Sequence, residues 1–256
     1  MDSSLSKIWK NYRHRFVPWM AANIKTAQRR VVAVSTDKTA SDEDLKKAVL
    51  KVTYNLDKKF RKSLEIDTES IMLNVLGYSV KRMKSRLKGG GTGVVLSLGS
   101  AQKGDLIAFY PGTLYRRFEP LLLPSLGNQF ILRCMDGIHV DGNDRFLSKS
   151  IFHSCVNRDS FGQYRAADTS WITKQPVVPW NIGQYVNNGT KECPPNVAYQ
   201  EFDIENFPPE LDYLLPNIWY SGPRGRHLRT VALVATRKIQ QGDEIFSNYV
   251  TLLHDH

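Results

Sequence analysis

Long apolar runs are missing from this chain. The longest are short and broken by proline, as in Leu121-Leu122-Leu123-Pro124, so none reaches the ~20 residues that a membrane-spanning helix needs. Cysteine is scarce too: Cys134, Cys155 and Cys193 are the only 3 in 256 residues. They are too few and too scattered for a disulfide framework. No C-x-x-C pair occurs, which argues against a structural zinc site. The N-terminus lacks the apolar core of a secretory signal. These absences predict an intracellular, reduced protein, in nucleus or cytoplasm first, with the sequon Asn188-Gly189-Thr190 incidental.

Acidic residues are nearly absent from residues 1–36, where Lys7, Lys10, Arg13, Arg15, Lys25, Arg29 and Arg30 stand against Asp2 alone. The whole chain carries a formal net charge of +10. A basic segment of this kind attracts nucleic acid, histone-like complexes or an anionic membrane. An Arg-rich, acid-poor N-terminus also fits mitochondrial targeting. The plainer reading is a solvated helix face. It is preferred, because basic runs are common and this one is interleaved with Trp9, Tyr12, Phe16 and Trp19.

Common catalytic signatures are missing as well. There is no H-E-x-x-H and no G-x-S-x-G, and the histidines His14, His139, His153, His227, His254 and His256 stand apart from any such pattern. The glycine cluster Gly89-Gly90-Gly91-Thr92-Gly93 fails as a dinucleotide fingerprint: Leu96 occupies the third-glycine position, and β-rich sequence follows. It also lacks the Gly-Lys-Ser/Thr of a phosphate loop. By itself it reads as a flexible linker. A calcium loop starting at Asp141 would need glutamate where Phe152 stands, so Asp141-Gly142 reads as a turn.

What is present divides at Lys88-Gly89. Residues 1–88 read as a basic helical N-terminal region. Ser41-Asp42-Glu43-Asp44 is a capping box, and Leu45, Val49, Val52, Leu56 and Phe60 follow at helical spacing. A second helix is predicted from Thr68, with Ile71, Val75, Leu76 and Met83 inward and Lys81, Arg82 and Lys84 outward. Residues 89–256 read as β-rich, with strands expected at 94–98, 105–110, 130–135, 137–142, 196–204, 229–237 and 243–250. Helical pattern does not alternate with them, so a doubly wound parallel sheet is disfavoured and small folded sheets are favoured. Two segments read as insertions: the polar, patternless residues 143–180, and 205–228 with four prolines and Tyr213, Trp219 and Tyr220.

One combination carries more. The glycine cluster precedes strands, and Tyr110-Pro111-Gly112 ends the second of them. Then come Asn181-x-x-x-Tyr185-Val186-Asn187-Asn188, Cys193-Pro194-Pro195-Asn196 and a strand. The chain closes with Gly242-Asp243-Glu244-Ile245-x-x-Asn248-Tyr249. In this order the motifs resemble the SET-domain family of S-adenosylmethionine-dependent protein lysine methyltransferases, over about 89–251. The resemblance implies a mainly β, β-clip-like fold of small sheets, with a C-terminal segment threaded under a loop as a pseudoknot. With the α-helical region before it, the chain is α+β overall. The string Ile151-Phe152-His153-Ser154-Cys155 looks closer by letters to the family's Asn-His-Ser-Cys signature. Only 181–204, however, has the expected flanks and a following strand.

The resemblance also implies roles. Gly91 and Gly93 would let backbone approach S-adenosylmethionine. Asn187 would bind it through its side chain and Asn188 through its backbone. Tyr249 would be the catalytic tyrosine, and Tyr110 would line the channel for a lysine of a protein substrate. Asn188 stands where the family has histidine, Gly189–Glu192 lengthen the corner, and Ser247 replaces a usual phenylalanine or tyrosine. The aromatics of 205–228 are expected to wall the channel. The alternative is a catalytically weak or inactive SET-fold module that binds protein or nucleic acid. No metal is expected.

Overall fold

The structure is a computed structural model that describes residues 12–15, 29–62, 67–222 and 227–254. Most of the basic segment, including Lys7, Lys10 and Lys25, lies outside the described residues. The chain begins with β1 (Tyr12–Arg15) and β2 (Arg29–Ala33), followed by α1 (Asp42–Phe60) and α2 (Thr68–Leu76). Then come β3 (Tyr78–Lys84), β4 (Thr92–Ala101), β5 (Leu106–Phe109), β6 (Gly112–Tyr115), the short α3 (Leu122–Ser125), β7 (Ile131–Arg133) and β8 (His139–Asp141). The helix α4 (Phe146–Asp159) precedes β9 (Asn187–Asn188), β10 (Val197–Glu205) and β11 (Asn217–Trp219). The last strands are β12 (His227–Ala235), β13 (Ile239–Gln240), β14 (Phe246–Ser247) and β15 (Val250–His254).

The helix α1 forms as its sequence demands. Ser41 Oγ accepts the Asp44 N–H at 3.1 Å, and three acids occupy the first turn. Leu45, Val49, Val52 and Leu56 are buried on one face. Each such burial contributes about 1.5–3 kcal/mol. The second helix is shorter than its pattern predicts. It stops at Leu76 because Gly77 takes a left-handed conformation, φ 87°, and its N–H bonds to the Leu73 carbonyl. Beyond it the chain is a strand. Met83, expected inward on a helix, is exposed on β3, while Tyr78, Ser79 and Val80 are buried. Helix over residues 1–88 therefore gives way to strands at Tyr12–Arg15, Arg29–Ala33 and Tyr78–Lys84. The division at 88–89 falls in the β3–β4 hairpin, which pairs from Tyr78↔Gly99 to Lys84↔Thr92.

Among the described residues the sheets are small and folded together. A 7-stranded mixed sheet runs β11-β6-β8-β7-β1-β15-β2, and two 3-stranded sheets run β10-β12-β5 and β13-β4-β3. The fold is thus mainly β, with α1 and α2 inserted between β2 and β3. One core cluster joins the α1 face to side chains of β4, β5, β10 and β12, including Leu96, Phe109, Phe202 and Leu233. The segment expected to be patternless holds α4, whose buried residues are Ser148, Phe152, Cys155 and Val156. That spacing is helical, but serine and cysteine occupy two of its positions, so no apolar stripe announces it. Asp141 ends β8, and its Oδ1 accepts the Asn143 N–H at 3.2 Å, so the expected turn at Asp141-Gly142 directly follows the strand.

The C-terminal run lies under the loop around Asn187. β14 pairs in parallel with β9, Phe246 opposite Asn187 and Ser247 opposite Asn188. The Gly189 N–H donates to the Ser247 carbonyl at 2.8 Å. Asn196 closes the clasp with a buried side chain. Its Nδ2 donates to the Glu244 carbonyl at 2.9 Å, and its Oδ1 accepts the Phe246 N–H at 2.9 Å. This is the expected pseudoknot. The added residues of the corner form a tight turn, with the Cys193 N–H donating to Thr190 Oγ1 at 3.0 Å. Asn196→Ala leaves two buried backbone groups without partners. We expect a loss of about 2–4 kcal/mol in urea unfolding, with Asn196→Asp recovering part of it.

Candidate functional site

Separated segments converge on a pocket of ≈ 370 Å³. The β3–β4 turn supplies Gly89, Gly90, Gly91 and Thr92, the corner supplies Gln184, Tyr185 and Asn187, and Tyr249 comes from the end of the threaded run. Gln129, Phe130, Asp144 and Arg145 complete the lining. A larger groove of ≈ 730 Å³ lies around Asp57, Phe60, Arg61 and Tyr213, and it contains none of Gly91, Gly93, Tyr110, Asn187, Asn188 or Tyr249. The smaller pocket is the candidate, because three residues predicted from sequence meet there.

Gly91 has φ 58°, and no atom lies within 4 Å of where its Cβ would stand, so the turn presents bare backbone to the pocket. The Asn187 Nδ2 donates to the Thr92 carbonyl at 3.2 Å and ties the corner to that turn. The Tyr249 hydroxyl donates to the Val186 carbonyl at 3.2 Å. Asn188 is used differently from the expectation for the corner. It is not in the pocket lining, and its Oδ1 accepts the Tyr249 N–H at 2.9 Å.

Gly93 is also outside the lining. A Cβ there would lie 2.4 Å from Glu244 Oε1. Glu244 is buried behind the turn, accepting from Ser85 Oγ at 2.5 Å and the Arg86 N–H at 2.9 Å, with Arg86 Nε at 3.6 Å. Gly93 leaves room for this carboxylate, and the carboxylate holds the turn in place.

Tyr110 is fully buried and does not line the pocket. It stands behind it, its hydroxyl donating to the carbonyl of lining residue Phe130 at 2.8 Å. Its ring meets Tyr199 edge-on, and the Tyr199 hydroxyl is 3.1 Å from Ser247 Oγ. Of the aromatics expected to wall a channel, none lines this pocket. Tyr213 bonds Asp57 on α1, Tyr220 stacks on Tyr115 at 4.7 Å, and Trp219 sits under Arg116. Each satisfies a neighbouring helix, strand or loop, which sequence alone cannot assign. The string 151–155 lies within α4, with Phe152 and Cys155 packed around Trp171.

The lining on the far side went unremarked in the sequence. Asp144 accepts the Tyr185 hydroxyl at 2.5 Å, and burial together with this bond pushes the Tyr185 phenol up to about 12. Arg145 stands 3.6 Å from Asp144. The visible signal was the polar Asp141–Asp144 run, read there as a turn. Asp141 anchors that run from below. Burial raises its carboxyl to about 6, against hydrogen bonds from Asn128 and the Asn143 amide that pull it down.

A folded-state value raised from 3.8 to about 6 means that the native protein holds this proton more tightly. The stabilisation is complete below the unfolded value and lost as pH rises through the folded one. Urea unfolding from pH 4 to 7 should therefore show wild type losing about 2–3 kcal/mol relative to Asp141→Asn, which lacks the titration.

No family model matches the chain. The curated SET domain-containing protein 9 of Homo sapiens is 37% identical to it, over 96% of each chain. SET domain-containing protein 9 of Pongo abelii is 43% identical, over 77% of this chain and 73% of its own. Among solved structures, CpSET8 from Cryptosporidium superposes with a TM-score of 0.35 at 10% identity, covering 96% of this chain and 93% of that one. A Polycomb Repressive Complex 2 bound to S-adenosylmethionine gives a TM-score of 0.38 at 14% identity, over 79% and 19%. The human relative shares more than a third of its residues with this chain along nearly the full length of both, and on that ground the chain belongs to the SET-domain family.

Proposed function

We propose that the chain is an S-adenosylmethionine-dependent methyltransferase acting on lysine side chains of proteins. The carrying observation is that Gly91, Asn187 and Tyr249, far apart in sequence, bound one pocket. Its volume falls within the range of small-molecule sites. Its chemistry suits a nucleoside bearing an amino acid. Arg145 matches a carboxylate and Asp144 an ammonium or ribose hydroxyl. Phe130 and Tyr185, with ring centroids 6.0 Å apart, offer faces for a base.

When bound, S-adenosylmethionine supplies a methyl already activated on a sulfonium, which a neutral amine takes as the carbon–sulfur bond breaks toward sulfur. The protein's work is then positioning. The Gly89–Thr92 turn brings backbone close without side chains along its glycines. Asn187 exchanges its bond to the Thr92 carbonyl for one to the ligand. Tyr249 is held by its own hydroxyl on Val186 and by its N–H on Asn188, so its ring has a set direction. The cluster of Tyr110, Tyr199 and Ser247 lies behind the pocket, where a lysine stem would enter, and its apolar surroundings favour the uncharged amine. Full burial of Tyr110 favours a second reading, a non-catalytic module.

Calorimetry with S-adenosylmethionine separates the two readings. Micromolar binding that weakens about tenfold or more in Asn187→Ala supports the pocket. No binding, with salt-sensitive binding of nucleic acid instead, supports the module. In a labelled-methyl assay, Tyr249→Phe should bind cofactor normally and lose activity on the order of 10²-fold. Full activity in that variant rules out its catalytic role.

A further inference from the structure

The basic N-terminal segment supplies an interior strand of the seven-stranded sheet. β1 lies between β7 and β15, antiparallel to both, with His14 opposite Arg133 on one side and Val250 on the other. It meets β15 over three residues and β7 over two. Without β1 the sheet would part into β11-β6-β8-β7 and β15-β2. Their facing edges would then bound a slot about 10 Å wide, the width that one added strand spans. Edges of this kind take up an extended chain through backbone hydrogen bonds, whatever its source.

One end of the slot meets the proposed chemistry. β15 begins directly after Tyr249, and β7 directly after Phe130. Arg15, opposite Leu132, comes level with Tyr249 in the same register. The Phe130 carbonyl accepts the Tyr110 hydroxyl, and Ser247 stands two residues before Tyr249. An extended chain in the slot therefore reaches the side of the Tyr110, Tyr199 and Ser247 cluster, where a lysine stem would enter.

The other end opens on an acidic groove of ≈ 560 Å³. Met135 and Asp136, just after β7, and Leu253 of β15 line it, and Tyr12 pairs with Leu252. The chain before Tyr12 thus joins β1 at the mouth of this groove. Six carboxylates line it, Asp136 and Glu205 being exposed, against Lys38, Lys46 and Arg229. Arg30, paired with Asp37, adds a fourth cation, and the excess stays negative. On a chain of net +10 such a groove selects a basic occupant. Residues 1–11 carry Lys7 and Lys10 against Asp2.

We propose that the N-terminal segment restrains the protein in cis. β1 fills the slot that a substrate's extended chain would use, and residues 1–11 dock in the acidic groove. The inference rests on the methyl-transfer reading, because the strand competes with substrate only if Tyr249 serves transfer. A tethered segment acts at an effective concentration on the order of mM, so micromolar substrate gains the slot only when the segment is released. Release costs little, since so short a strand is held by few rungs.

The probe is a labelled peptide of residues 5–15 of this chain. Its binding is read by fluorescence anisotropy on the full chain at about 50 mM salt, where surface charge is weakly screened. Wild type, its slot already filled, should bind it weakly. Lys7→Glu/Lys10→Glu changes no described residue and should bind it at least about tenfold tighter. So should Arg13→Pro, whose ring removes a backbone donor from β1. The charge variant guards against misfolding of the proline one. A peptide with glutamate at positions 7 and 10 should bind these opened chains about tenfold more weakly than the native peptide. Labelled-methyl transfer to proteins of a cell extract should rise several-fold in both variants. Tight peptide binding by wild type overturns the proposal, and so does equal binding by wild type and both variants. Cofactor calorimetry keeps the two readings apart. Opened chains that bind peptide but no S-adenosylmethionine sink the methyl-transfer reading and leave the docking. Opened chains that bind cofactor yet transfer no faster than wild type sink the restraint alone.

Discussion

One buried amide holds the two halves of this site together. The Asn196 side chain donates to the Glu244 carbonyl and accepts from the Phe246 N–H, so it takes the place of a further rung of sheet. The pairing it supports, β9 with β14, is only two residues long. So short a parallel pair has little stability of its own. With the clasp in place, Asn187 and Asn188 on one side and Tyr249 on the other keep a constant relation. All of these contacts join residues about fifty or more apart in sequence, so each carries the entropy cost of closing a long loop.

The same run also carries the carboxylate that secures the glycine turn. Glu244 bonds the residues that open the turn, Ser85 and Arg86, and needs the space at Gly93 to do so. A buried charge of this kind is tolerable only when its oxygens are satisfied. Within six residues, then, the chain fixes the turn through Glu244, the corner through Phe246 and Ser247, and the pocket wall through Tyr249. The second side of the pocket is built separately. Asn128 ties Pro124, Asp141 and Ser148 together, and Asp144 and Arg145, between Asp141 and Ser148 in sequence, line the pocket.

Periodicity reported what periodicity can report. The α1 stripe and the strands expected at 94–98, 196–204 and 229–237 are matched by α1, β4, β10 and β12, because burial on one face leaves a regular trace. The errors have physical causes. Met83 sits on a strand because Gly77 ends the helix seven residues after Ser70, overriding a pattern that could continue. Helix α4 escaped notice because Ser148 and Cys155 fill buried positions usually apolar. Tyr213, Trp219 and Tyr220 are absent from the pocket lining, and each packs on a partner remote in sequence that no local pattern names.

The sequence by itself determined the family, the order of the motifs, the α1 stripe and the β-rich character of the chain after it. Those properties rest on residue type and local spacing, which need no knowledge of distant contacts. Only the tertiary structure decided which motif residues face the pocket. Gly91, Asn187 and Tyr249 do; Gly93 makes way for Glu244, Asn188 turns to the Tyr249 backbone, and Tyr110 lies one layer behind. It also decided that Asp144 and Arg145 line the same pocket. The reason is that a side chain's neighbours come from the pairing of remote strands, and a short polar run carries no record of the strand it will meet.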